Sequence, residues 1–156
     1  ATTYAVDAGL QLVEVVGLPL RIGTMIAHAG PRFQIRNEAQ ADPLPTRLRV
    51  SVAYEVLGHF VALDGFDLHV TAEVEDRWLD PGSPAFYLGA EFGAGLEEAL
   101  LLVRAGYVMG NGKQLDGAAV GVGIGFDRFD VGIAKSLTAN IVGETEPVHV
   151  TLGLVL

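Results

Sequence analysis

Residues 48–56 read Leu48-Arg49-Val50-Ser51-Val52-Ala53-Tyr54-Glu55-Val56, and their parity decides the fold. Large apolar residues fill most even positions, while Arg49, Ser51 and Glu55 take odd ones. Side chains on an extended strand point alternately to its two faces, so a period of two describes a strand with one apolar and one polar side. The same separation recurs in eight further segments. Asp7, Arg21, Glu73, Glu91, Arg104, Asp130 and His149 all fall on the parity opposite the aliphatic set. One long sheet with two unlike faces follows.

The spacing predicts strands at about 3–13, 18–29, 46–57, 66–78, 85–93, 99–109, 117–126, 128–136 and 148–156. Turn residues separate them: Gly17 with Pro19, Gly30-Pro31, Asp80-Pro81-Gly82-Ser83-Pro84, Gly110-Asn111-Gly112, and Gly143 before Pro147. Asp127-Arg128 reads as a two-residue hairpin turn and as the tightest connection. Asp42-Pro43-Leu44-Pro45 reads as a rigid extended approach to a strand, because each proline restricts itself and the residue before it. Short connections, 93–98 and 127–128, alternate loosely with long ones, 31–45 and 137–146. Membrane barrels alternate short turns with long loops in this way.

At 156 residues, with no linker-like stretch, the chain is expected to be a single domain spanning 1–156. Half of it is hydrophobic, yet no run approaches the ~20 apolar residues of a membrane-spanning helix. The 20 glycines and the absence of cysteine fit an all-β chain outside the cytosol. Ala1 follows no basic and apolar leader, and reads as a processed or truncated start. A net charge of -9 with no basic stripe argues against a nucleic-acid partner, since phosphate backbones recruit clustered Lys and Arg.

Alternation alone fits two architectures: a soluble barrel or sandwich with the aliphatics in a core, or a membrane barrel with the aliphatics against lipid. Three features favour the membrane barrel. Strands of about ten residues match the ~9 to 11 that cross a bilayer, whereas soluble strands average ~5 to 6. The polar parity holds Gly and Ala with isolated Arg, Glu and Asp, as in Gly121, Gly123 and Gly125, which suits a crowded interior better than a wet exterior. The apolar parity, including Leu20, Ile22, Ile26, Val120, Val122, Ile124 and 148–156, is more aliphatic surface than one small core holds. Tyr4, Tyr54, Phe92, Tyr107, Phe126 and Phe129 lie towards strand ends, where interfacial girdles belong.

The expected fold is therefore all-β, an antiparallel transmembrane β-barrel with about nine strands here. Arg21, Arg47, Arg49, Glu73, Glu91 and Arg104 are expected to line its lumen. Bacterial single-chain barrels close with an even number of strands, so nine call for a partner chain, a further segment or a recount.

Chemistry-bearing motifs are few. Gly121-Val122-Gly123-Ile124-Gly125 lacks the strand-to-helix turn of a phosphate loop. His28, His59, His69 and His149 lie on separate segments, so no metal is expected. Ser51, Ser83 and Ser136 lack a nucleophile elbow. Glu73 and Glu75 share a strand face and could act as an acid/base pair, but Arg47, Arg49 and Arg104 make a charge network the stronger reading. No catalytic residue, enzyme activity or cofactor is expected.

The run Asp42-Pro43-Leu44-Pro45-Thr46-Arg47-Leu48-Arg49-Val50, then Tyr87-Leu88-Gly89-Ala90-Glu91 and Val103-Arg104-Ala105-Gly106-Tyr107, resembles the PorV-like branch of the FadL-type outer-membrane barrels. Leu20-Arg21-Ile22-Gly23 leading to Gly30-Pro31, the Gly-rich strand ending at Phe126, and His149 in a closing strand extend the likeness from about Asp7 to Leu156. Two places depart from the family pattern: Leu156 stands where many barrels end on an aromatic, and 130–135 lacks the usual aromatic.

What the resemblance implies is the C-terminal part of a fourteen-stranded barrel in the bacterial outer membrane. Its partners would be the lipid bilayer and other outer-membrane or secretion-complex chains. The implied role is association with the type IX secretion machinery or FadL-like passage of hydrophobic molecules. A soluble or periplasmic barrel holding a lipid-like ligand, and less so a membrane lipid hydrolase, stand as readings of other classes.

Overall fold

Nine strands, each antiparallel to the next, follow one another in sequence order across a single sheet: β1 (Val6–Leu12), β2 (Leu20–Ala29), β3 (Arg47–Glu55), β4 (Phe66–Arg77), β5 (Ala85–Leu96), β6 (Ala99–Met109), β7 (Gly117–Phe126), β8 (Phe129–Ser136) and β9 (Val148–Leu154). This is a computed structural model, and it describes residues 4–31, 44–57, 63–78, 81–110, 116–138 and 147–154. Thr3, the Asp42-Pro43 half of the proline segment, His59, Asp80, Asn111-Gly112, Gly143 and Leu156 lie outside the described residues. No helix among the described residues is long and apolar enough to cross a membrane, which leaves open a crossing by strands.

Each expected strand is present, and boundaries move by a few residues. The largest change is in β5, which runs to Leu96 rather than stopping at Gly93. Gly93 and Gly95 look like turn residues but stay in the ladder, opposite Leu102 and Leu100 of β6, and Gly95 N–H also donates to Gly65 O at 2.6 Å. The connection is therefore only Glu97 and Glu98, as tight as Asp127-Arg128, with Leu96 opposite Ala99 and Phe126 opposite Phe129. Asp127 adopts a φ of 53°, a conformation that Asp tolerates better than most non-glycine residues.

Because directions alternate, the connections fall at two ends. Residues 13–19, 56–65, 97–98 and 127–128 join strands at one end; residues 30–46, 78–84, 110–116 and 137–147 join them at the other. Both two-residue turns share an end, and the two longest connections share the opposite one.

The pairing register is continuous across β2–β9 and irregular once. Val6 faces Ala29 but Ala8 faces Ile26, so β2 carries one extra residue opposite Asp7. Such a bulge frees backbone groups from the ladder. Here His28, at a φ of 57°, donates its N–H to the Asp7 carboxylate at 2.7 Å, and Thr46 Oγ1 donates to His28 O at 3.0 Å.

The aliphatic parity packs into no core. Among the described residues the only buried apolar side chains are Ala27 and Ala85. Val122, inside the sheet on β7, is 58% exposed, and Val150 and Leu152 on the edge strand β9 are 64% and 76% exposed; their neighbours across the ladder are also aliphatic. Among the described residues the sheet is open, with β1 and β9 each paired on one side only.

Candidate functional site

Register turns the odd positions of β3 into a charged patch. Arg49 stands directly opposite Glu75 of β4, Ser51 opposite Glu73, and Arg47 opposite Arg77. Opposed residues on one face come within reach of each other's side chains, so these pairings specify the contacts. Arg47 Nη1 lies 2.5 Å from Glu75 Oε1, and Arg49 Nε lies 2.6 Å from Glu75 Oε2 and 3.9 Å from Glu73 Oε1.

Glu75 is the hub of this patch. It is 5% exposed, beside Ala85 at 2%, whose small side chain lets β5 close over it. A carboxylate so desolvated is held only by charge-assisted hydrogen bonds, and two guanidinium groups supply them. Sequence spacing pointed to Glu73 as the wall residue; Glu75, on the same parity, carries the network. Which of the two meets Arg49 head-on is a matter of register, and no local pattern encodes it.

A second group lies on the same face across β2–β6. Arg21, Ala53, His69, Thr71, Gly89, Glu91, Arg104 and Ala105 border an open concavity of about 430 Å³. Glu91 stands opposite both His69 and Arg104, and Arg104 Nε donates to Glu91 Oε2. Arg21 has no carboxylate within 4.0 Å among the described residues, unlike Arg47, Arg49 and Arg104. A second hollow, about 400 Å³, is bordered by Asp7, Gly9, Gln11, Gly23, Met25, Arg49, Ser51 and Glu73.

All six residues expected to line a lumen, Arg21, Arg47, Arg49, Glu73, Glu91 and Arg104, thus share one face of the sheet. The structure groups them as Arg47, Arg49 and Glu73 around Glu75, and Arg21, Glu91 and Arg104 around the larger hollow. His69 and Thr71 belong to that second group, which spacing along the chain does not signal.

Glycines open space for these side chains. A Cβ at Gly23 would stand 2.7 Å from Ser51 Oγ, and one at Gly89 would stand 2.6 Å from Thr71 Oγ1, so each polar side chain lies over the glycine of the next strand. The Gly121, Gly123, Gly125 series has a different neighbour. Cβ atoms there would meet Ala134, Leu102 and Leu100, because β6 places Leu100 and Leu102 on the polar parity. The face is therefore zoned: charges concentrate on β2–β5 and at Arg104 of β6, while β7 presents only Gly121, Gly123 and Gly125 beside Ala119 and Gly117. Polar residues interrupt the apolar face at Thr24, in the middle of β2, and at the charged Asp76 and Lys135, each one residue from a strand end at the end carrying the long connections.

Ser136, one of the serines weighed as a nucleophile, is committed to a local turn, its Oγ donating to Thr138 O at 3.1 Å. Among the described residues no group of His, Asp or Glu is arranged to hold a metal ion. Comparison of the chain with protein families, with curated proteins and with solved structures found no match.

Proposed function

We propose that this chain is a non-enzymatic wall segment of a bacterial outer-membrane β-barrel, its aliphatic face against lipid and its charged face towards a lumen. One observation carries the reading: the two hollows are bordered by Arg21, Arg49, Glu73, Glu91 and Arg104 on the charged side, while the opposite face exposes aliphatics such as Val50, Val103, Val122, Ile133 and Val150. A soluble lipid-binding barrel demands the reverse, with apolar residues lining the concave side.

Dimensions support the same assignment. β6 has 11 residues; at about 3.3 Å each and a tilt of about 40°, a strand of that length rises roughly 28 Å, close to the ~25 Å apolar band of such barrels. Aromatics cluster at both ends of the outward face. Phe126 and Phe129 face each other, and Phe66 stacks on Phe92 with ring centroids 5.8 Å apart, towards the short-turn end. Phe86 and Tyr107 stand towards the other. By the usual sidedness of these barrels the short turns face the periplasm and residues 30–46 and 137–147 face outwards.

The resemblance to PorV-like proteins makes association with the type IX secretion machinery the favoured role, with FadL-like passage of hydrophobic molecules as its alternative. The engagement of Glu73 and Glu75 by arginines supports a wall network over an acid/base pair. The test is phase partition of the purified chain: recovery with detergent or vesicles is the expected result. A monodisperse aqueous protein without either would overturn the membrane assignment and favour the soluble barrel.

A further inference from the structure

The two hollows on the charged face differ in sign. The smaller is bordered by Asp7 and Glu73 against Arg49, whose Nε already donates to Glu75 Oε2 at 2.6 Å. The larger is bordered by Arg21 and Arg104 against a single carboxylate, Glu91, with His69 and Thr71 on the strand midway between the two arginines. On a chain of net charge -9 a cationic hollow is a local exception, and concave walls focus its field.

Register sets these groups in two neighbouring rows. Arg21, Ala53, Thr71 and Gly89 follow one another across β2–β5, and Glu55, His69, Glu91 and Arg104 across β3–β6. Arg104 is partly satisfied, since its Nε donates to Glu91 Oε2. Arg21 has no carboxylate within 4.0 Å among the described residues, and Glu55, one row away, does not border the hollow. A guanidinium carries five N–H donors in a planar fork that matches the oxygens of carboxylates and phosphates. β2 and β6 are four strand spacings apart, roughly 19 Å along the sheet at ~4.8 Å each, so the two arginines stand on opposite walls.

We propose that this hollow binds a small tetrahedral oxyanion, inorganic phosphate or the phosphate of a short ester. Arg21 is its principal ligand, Thr71 and His69 are further donors, and Arg104 supplies charge from the opposite wall. A carboxylate has two oxygens, which one guanidinium satisfies, whereas donors drawn from β2, β4 and β6 suit a group with three or four. The apolar lining is confined to Ala53, Gly89, Ala90 and Ala105, so an acyl tail finds no aliphatic wall there. The site rests on this geometry; only its position in a lumen rests on the membrane reading above.

Isothermal titration of the full protein extracted in detergent, with inorganic phosphate at constant pH and ionic strength, tests the proposal. Saturable binding is the expected result, about 10- to 100-fold weaker in Arg21→Gln. Arg128→Gln removes a remote, screened charge on the 127–128 turn and should change affinity by less than about twofold. Glu91→Gln removes the competing carboxylate and should tighten binding, a gain that misfolding cannot mimic. Glycerol phosphate should compete for the same site, and its affinity relative to phosphate tells an ester from the free ion. Equal losses in Arg21→Gln and Arg128→Gln would mean diffuse attraction and overturn the proposal. So would the lack of saturable binding, binding that emerges only in Glu55→Gln, or tighter binding of laurate than of phosphate. A protein that stays monodisperse without detergent overturns the membrane reading instead, and the titration then stands by itself.

Discussion

Replacing Val122 by arginine puts a guanidinium at the middle of β7 on the outward face, between Val103 of β6 and Ile133 of β8. The side chain is 58% exposed and has no polar neighbour in the ladder, so the surrounding medium sets the cost. In a bilayer midplane an outward Arg costs about 2–4 kcal/mol, falling to about 0–1 near the interfaces. Ala118 and Phe126 flank the strand ends on the same parity. An arginine scan of Ala118, Val120, Val122, Ile124 and Phe126 should therefore trace a peak centred on Val122, a roughly 30- to 1000-fold loss in the folded ratio there. Urea unfolding of the protein in phospholipid vesicles measures it. In water the same substitutions on an open face would each change stability by only about 0.5 kcal/mol. A flat profile, or a Val122→Arg cost below that value, would refute the assignment of this face to lipid.

Glu75→Gln should destabilise by about 1–3 kcal/mol, because it leaves two guanidinium groups short of a charged acceptor at a buried site. Glu73→Gln, whose partner is 3.9 Å away, should cost under about 1 kcal/mol; equal denaturation midpoints would remove Glu75 as hub. Gly89→Ala should lose about 1 kcal/mol despite the lower backbone entropy of alanine, and Thr71→Ala in the same chain should reverse most of it. A stabilising Gly89→Ala on its own would mean that Thr71 does not lie over the glycine. Asp127→Gly should be neutral or stabilise by up to about 1 kcal/mol, and Asp127→Val should destabilise by about 1–2 kcal/mol, since the turn needs a positive φ. Thermal unfolding compares the pair, and equal melting temperatures would refute that requirement.

Much of the architecture was legible in the chain because strand parity is local. A residue's face depends only on its count along the strand, so the charged set and the aliphatic set separate without any knowledge of pairing. Gly93 and Gly95 misled for the opposite reason: in isolation two alternate glycines signal a turn, and only the leucines of β6 opposite them show that they remain in a strand. Glu75 stayed hidden behind Glu73 because the two share parity and differ only in which cross-strand residue they meet.

Sequence by itself thus determined that these residues form nine amphipathic strands with Arg21, Arg47, Arg49, Glu73, Glu91 and Arg104 on one side. Tertiary structure decided the rest: that Glu75 is enclosed by Arg47, Arg49 and Ala85, that the hollows are bordered by the charged side, and that among the described residues β1 and β9 each pair on one side only. Periodicity is a property of one strand and survives in the linear text; register, curvature and closure are relations between strands distant in the chain, fixed only when the backbone hydrogen bonds choose their partners.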